Sequence, residues 1–186
     1  MKPILDACCG ARMFWFNKKN PNVEFCDKRV VPYHEYYKNR YIEIKPDIVC
    51  DFTNLPFPDK SFKLVVFDPP HLTWAGKTSW MALKYGCLED NWPQMLHDGF
   101  WECMRVLDDY GTLIFKWSEV QIPLRKVLDA IKAKPLFGHR SGKHNNTHWM
   151  AFMKFPKEME TKTNIPPLPV PPKCREIKEN GKEIKK

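Results

Sequence analysis

Up to Asp68 the chain is punctuated by short apolar runs, each closed by an acid. Pro3-Ile4-Leu5-Asp6-Ala7-Cys8 predicts a buried strand ending at Asp6. Val23-Glu24-Phe25-Cys26-Asp27 alternates and predicts a second strand, and Asp47-Ile48-Val49-Cys50-Asp51 a third. Leu64-Val65-Val66-Phe67-Asp68 is an unbroken apolar run, the pattern of a parallel strand buried on both faces. Between the first two, Cys9-Gly10-Ala11 breaks the run and Arg12 to Phe16 predicts an opening helix. Trp92 to Leu107 has helical spacing through Met95, Phe100, Met104 and Leu107. Gly111 to Lys116 predicts a fifth strand. Pro123 to Ala133 predicts a short helix with Leu124, Val127, Leu128 and Ile131 on one face. His148 to Phe155 predicts the last strand, paired with Pro135 to Gly138.

Alternating strands and helices predict an α/β, Rossmann-like, mostly parallel seven-stranded sheet, with helices on both faces and the last strands as an antiparallel hairpin. Ligands of such sheets sit beyond the carboxyl ends of the strands, so Asp6, Asp27, Asp51 and Asp68 are expected along one rim. After Phe155 the composition changes. Six prolines fall from Pro156 to Pro172, followed by a Lys/Glu-rich end, so residues 1–155 are expected to form the domain and 156–186 a flexible tail.

Composition narrows the classes. A hydrophobic content of 43% excludes a wholly disordered chain. No apolar run approaches the roughly 18 residues of a membrane span, and Asp6 interrupts any signal-type apolar stretch, so a cytoplasmic protein without a membrane partner is expected. Seven cysteines, with no CxxC pair, suit reduced thiols better than a disulfide framework. Thirty basic against 22 acidic residues leave +8. The segment from Lys154 onward carries nine basic and five acidic groups of these. The excess suits a polyanionic partner and equally suits mere solubility.

Two constellations carry chemistry. Asp6-Ala7-Cys8-Cys9-Gly10 joins a strand to a tight turn of small residues, where a ligand can approach the backbone closely. Asp27 follows Asp6 by 21 residues, the range in which a strand-end acid accepts hydrogen bonds from ribose hydroxyls. Asp51-Phe52 adds an acid for an adenine amino group and a ring for its face. The sharpest signal is Asp68-Pro69-Pro70-His71: two prolines fix the turn after a buried strand, so a carboxylate and a nearby carbonyl face one point. Two converging acceptors and a ring suit a planar exocyclic amine; a tight surface turn is the alternative.

In this order, these residues resemble S-adenosylmethionine-dependent class I methyltransferases. More narrowly they resemble the amino-methyltransferases of nucleobases, whose signature is (Asp/Asn/Ser)-Pro-Pro-(Tyr/Phe/Trp/His). The stretch from Cys8 to Phe16 also looks like small methyltransferases of phages and prophages. The resemblance covers roughly residues 3 to 155. It implies S-adenosylmethionine as cofactor, held by Asp6, Ala7, Cys8 and Gly10 at the methionine end, Asp27 and Lys28 at the ribose, and Asp51 with Phe52 at the adenine. It implies Asp68, Pro69, Pro70 and His71 as the catalytic motif. Arg12 stands where the family's loop usually has a second glycine, and only 62 residues separate Asp6 from Asp68, with no large target-recognition segment.

The resulting expectation is methyl transfer to an exocyclic amine of a nucleobase, N6 of adenine in DNA first. An RNA base methyltransferase and an inactive nucleotide-binding module are the alternatives. Lys116 and Trp117 end the fifth strand on the same rim and are candidate substrate contacts, or core. Arg140 and Lys143 belong to a basic loop that suits phosphates, or solvent. Trp74, Lys77, Trp80 and Lys84 suit a cover over an unstacked base, or packing. His144 and His148 are four apart, but their Gly-Lys-His-Asn-Asn-Thr-His setting reads as a hairpin loop, so no metal is expected.

Overall fold

The computed structural model describes residues 2–76, 79–142, 144 and 146–156. In chain order these form β1 (Ile4–Asp6), β2 (Val23–Asp27), β3 (Val31–Tyr37), β4 (Arg40–Ile44), β5 (Ile48–Val49), β6 (Phe62–Phe67), α1 (Trp80–Tyr85), α2 (Trp92–Val106), β7 (Leu107–Ser118), α3 (Leu124–Ile131), β8 (Phe137–Ser141) and β9 (Thr147–Met153). Seven strands make one sheet in the order β5-β2-β1-β6-β7-β9-β8. β1 pairs in parallel with β2 and β6, β2 with β5, and β6 with β7. β9 runs antiparallel between β7 and β8. This is the mostly parallel, Rossmann-like sheet with a closing hairpin that the apolar runs predict. The chain steps outward from β1 to β2 and β5, then returns across it to β6. That reversal leaves a crevice at the carboxyl ends of the central strands.

Burial explains the order. Leu5, Val65, Phe67, Leu113 and Phe115 are fully buried, and the register sets them on one face of the sheet, in the core cluster shared with α2. Met95, Leu96, Gly99, Phe100, Cys103 and Val106 form the buried stripe of α2, which starts with Pro93 in its first turn, where the missing N–H has no intrahelical partner to lose. Val127 and Ile131 of α3 join the same core cluster. No helix of the described residues is long and apolar enough to cross a membrane.

The expected elements need correction in three places. The helix predicted at Arg12–Phe16 is a run of turns instead. Gly10 and Arg12 both have positive φ (48° and 54°), which stops a right-handed helix before it nucleates. Trp15 from this loop packs edge-on against Phe25 at 5.4 Å, so a loop rather than a helix covers the face over β1 and β2. Second, the segment between β2 and β5 holds a separate antiparallel hairpin, β3–β4, which the apolar runs do not reveal. Its two-residue turn places Asn39 at φ 56°, a conformation Asn tolerates. Ile42 and Ile44 turn inward and are buried, whereas Tyr33, Tyr37 and Tyr41 face out. β8 also begins later than expected, at Phe137.

Candidate active site

The carboxyl ends of β1, β2, β6 and β7 open into a cleft of about 470 Å3, a size that suits a small organic ligand. Ala7, Cys8, Gly10, Asp27, Lys28, Phe52, Asp68, Pro69, Pro70, His71 and Lys116 all line it. Residues far apart in sequence therefore meet there. Burial raises the Cys8 and Cys9 thiols well above their ordinary value, so both stay protonated.

Asp27 is buried at the end of β2. Its Oδ2 accepts the Gly10 N–H at 2.9 Å, and its Oδ1 accepts the backbone N–H of Arg29 at 2.9 Å. The Arg29 side chain closes on the same carboxylate, with Nε 3.1 Å from Oδ1 and Nη2 3.3 Å from Oδ2. Nη1 of Arg29 donates to the Leu83 carbonyl of α1 at 3.2 Å. Sequence reasoning missed Arg29; its signal was a base two residues beyond a strand-end acid.

Phe52 enters the cleft because α2 makes room for it. A Cβ on Gly99 would stand 2.3 Å from Phe52 Cδ2 and 3.1 Å from Phe67 Cζ. Asp51 does not line the cleft. Its Oδ1 accepts Thr53 N–H at 2.9 Å and Thr53 Oγ1–H at 2.8 Å, a local turn that aims the carboxylate at a separate shallow groove. Asp6 also stays out. It is fully buried, with Oδ2 accepting the Trp15 indole N–H at 2.7 Å and Oδ1 accepting Cys8 N–H at 3.4 Å. Burial, with the neighbouring Asp68 and Asp27 charges, raises its pKa to about 7 against the hydrogen bonds from Trp15 and Cys8.

Asp68 leaves β6 into Pro69 and Pro70. Lys116 of β7 places Nζ 2.5 Å from Asp68 Oδ2 and lies 5.8 Å from the Phe14 ring and 5.7 Å from the Trp149 ring. Burial raises the Asp68 pKa, and the Lys116 ammonium opposes that rise. Among the described residues Oδ1 has no hydrogen-bond donor. His71 is buried, and burial plus the Lys116 charge lower its pKa to about 4, so the ring is neutral near pH 7. It lies 5.1 Å from Tyr85 and edge-on to Trp117 at 6.5 Å.

Arg12 adopts the left-handed conformation that glycine takes without strain. That costs roughly 1–2 kcal/mol for a side-chain-bearing residue. Its guanidinium offsets this by donating to the carbonyls of Lys18 and Lys45, both at 2.8 Å, and to Asp47 at 2.9 Å, and by lying 3.8 Å over the Phe25 ring. Trp117 is core: it is fully buried and donates Nε1–H to the Ile122 carbonyl at 3.0 Å. Arg140 stands on the edge strand β8 and lines a groove beside α3, away from Asp68. Its strand lies two places beyond β7, which removes it from the cleft. Lys143 and Lys77 lie outside the described residues. Lys84 does line the cleft, with Tyr85 and Phe14; the last two have no motif of their own in the sequence.

No protein-family model and no curated protein matches the chain. Solved structures do. The PH0226 protein from Pyrococcus horikoshii OT3 aligns over 81% of this chain and 81% of its own, at 18% identity and a TM-score of 0.52. A Leishmania major protein described as a SAM-dependent methyltransferase of the DUF858 family aligns over 81% of this chain and 63% of its own, at 11% identity and a TM-score of 0.48. The antibiotic-resistance methyltransferase Kmr aligns over 82% and 86%, at 12% identity and a TM-score of 0.41. The likeness to the Pyrococcus protein shows a shared fold.

Proposed function

We propose that this chain is an S-adenosylmethionine-dependent methyltransferase acting on an exocyclic amine of a nucleobase, N6 of adenine in DNA first. One observation carries the reading. Asp68-Pro69-Pro70-His71 opens onto the same cleft as Gly10, Asp27 and Phe52. An amine-binding turn and a nucleoside-type pocket thus share one space. The motif's resemblance to nucleobase amino-methyltransferases agrees with it.

The lining fits the cofactor. Asp27 presents a carboxylate whose acceptors ribose hydroxyls would take over from Arg29, Phe52 a ring for adenine, and Cys8 to Gly10 a close backbone. When bound, S-adenosylmethionine supplies an electrophilic methyl group. The chain's own residues handle the amine. Asp68 Oδ1 accepts one amine hydrogen and orients the nitrogen, while Lys116 fixes Oδ2. The raised pKa of Asp68 makes it a stronger acceptor for the proton that nitrogen sheds once alkylated. His71, neutral and buried, offers a ring face without adding charge beside a cationic cofactor.

Transfer of a tritiated methyl group to DNA, to RNA and to free nucleosides tests this reading, with nucleoside mass spectrometry to locate the methyl. N6-methyl-2′-deoxyadenosine from DNA is the expected product. Labelled RNA alone would move the substrate to the second class. Cofactor binding without transfer to any acceptor would leave only a nucleotide-binding module.

A further inference from the structure

We propose that the β3–β4 hairpin and α1 form a track for single-stranded DNA leading into the cleft, an inference that rests on the nucleobase reading above. Four of the chain's six tyrosines fall between Tyr33 and Tyr41. Three are unusually open for their size, with Tyr33 66%, Tyr37 55% and Tyr41 51% exposed. Tyr33 and Tyr41 lie parallel, 5.2 Å apart and 4° from coplanar. A stacked, solvent-facing pair offers its outer faces to a further planar ring.

The cations of this element gather at its turn. Val31–Ile44 carries Lys38 and Arg40, which flank Asn39, against Glu35 and Glu43 along the strands. Arg40 lies 5.9 Å over the Tyr37 ring, which puts cation and aromatic side by side at the hairpin turn. Rings interleaved with cations suit unpaired bases and their backbone; in a duplex the base faces are hidden in the stack. An aliphatic protein partner would leave these cations without counterparts.

The hairpin meets the motif through α1. Tyr36 stacks on Trp80 of α1 at 6.3 Å. Lys84, one turn on, lies 5.8 Å from the Trp80 ring and 5.0 Å from the Tyr85 ring. Tyr85 in turn lies 5.1 Å from His71, the last residue of the Asp-Pro-Pro-His turn. Rings and a lysine thus run from the hairpin to the point where a target amine would sit. This supplies a surface for nucleotides flanking the target, for which the short spacing between β1 and β6 leaves no separate segment.

The test is fluorescence anisotropy of the full chain with a labelled oligodeoxythymidine of about 20 nucleotides carrying one central adenine. The unlabelled chain is titrated with S-adenosylhomocysteine in parallel. Replacing Tyr33 and Tyr41 together with Leu is expected to weaken single-strand binding about ten- to a hundredfold. Replacing both with Phe should retain it, and neither change should alter S-adenosylhomocysteine affinity. Circular dichroism and melting temperature check that the Leu variant folds; if it does not, Arg40→Gln, which keeps the hairpin's rings, should still weaken binding several-fold and lower its salt dependence. Equal binding by the folded Leu variant, or tighter binding of the matching duplex or of the RNA version, overturns the track. Single-strand failure with intact S-adenosylhomocysteine binding sinks the track and spares the methyltransferase reading. The reverse pattern spares the track and sinks the enzyme.

Discussion

Arg29 folds back onto Asp27, two residues earlier, and holds both carboxylate oxygens while its remaining nitrogen grips the Leu83 carbonyl. The strand-end acid is therefore presented fully partnered. A ribose that takes those acceptors must draw them from Arg29. Asp27→Ala removes them altogether and is expected to weaken S-adenosylhomocysteine binding by about 1–3 kcal/mol. Arg29→Gln leaves the carboxylate in place and should retain most of the affinity. Calorimetric titration of both variants decides the point; an unchanged constant in Asp27→Ala would mean that β2 does not reach the ligand.

Asp68→Ala should lower methyl transfer by a factor on the order of 10² or more, with S-adenosylhomocysteine binding nearly intact, because orientation of the amine is lost. Lys116→Met should act through Asp68. Lys116 opposes the burial-driven rise of the Asp68 pKa, so its removal lets that pKa climb further. The acidic limb of the pH–rate profile should then move to higher pH. A limb that stays in place in Lys116→Met would separate Lys116 from the carboxylate.

Two buried groups pull stability in opposite directions. Asp6 has a folded pKa of about 7 against an ordinary 3.8, so between these values only the folded chain holds the proton. Its contribution is fully present below the lower value and is lost as pH rises to about 7. His71 has a folded pKa of about 4 against an ordinary 6.5, so its contribution grows as pH rises across that window. Each can change the folding equilibrium by up to about tenfold per pH unit. Asp6→Asn should make stability climb more steeply from pH 4 to 7, and His71→Phe should make it fall, as read by urea midpoints.

Gly99→Ala tests how Phe52 is seated. The added Cβ meets the Phe52 ring at 2.3 Å, inside any tolerable contact. Relief requires Phe52 to move toward the cleft. A stability loss of about 1–3 kcal/mol is expected, with a weaker cofactor constant alongside it. A stability loss with no change in binding would remove Phe52 from the ligand site.

The sheet was legible because buried parallel strands are apolar runs cut off by the first polar residue, as at Phe67-Asp68. The same logic located the cleft but not the direction of each side chain. Asp27 and Asp68 point into it, whereas Trp15 captures Asp6 and Thr53 captures Asp51. Neither partner lies at a spacing that any motif records. The loop at Arg12–Phe16 misled because its apolar residues suggest a helix, while the conformations of Gly10 and Arg12 rule one out. The hairpin stayed hidden because its tyrosines and charges alternate without an apolar run, and only Ile42 and Ile44 are buried on β4.

The two roots of that hairpin are stapled to the loop after β1 by arginines. Arg12 reaches from the loop to the Lys45 carbonyl just past β4, and Arg29, just before β3, grips the carboxylate that also takes the Gly10 N–H. A push on the ribbon is therefore felt at Gly10, and a ligand that rearranges Gly10 and Asp27 is felt at the ribbon. Linkage then makes the exchange symmetrical: any factor by which a filled cleft tightens the grip on a strand is the factor by which the strand tightens the cleft. Two binding events on opposite sides of these arginines would be read by the protein as one equilibrium.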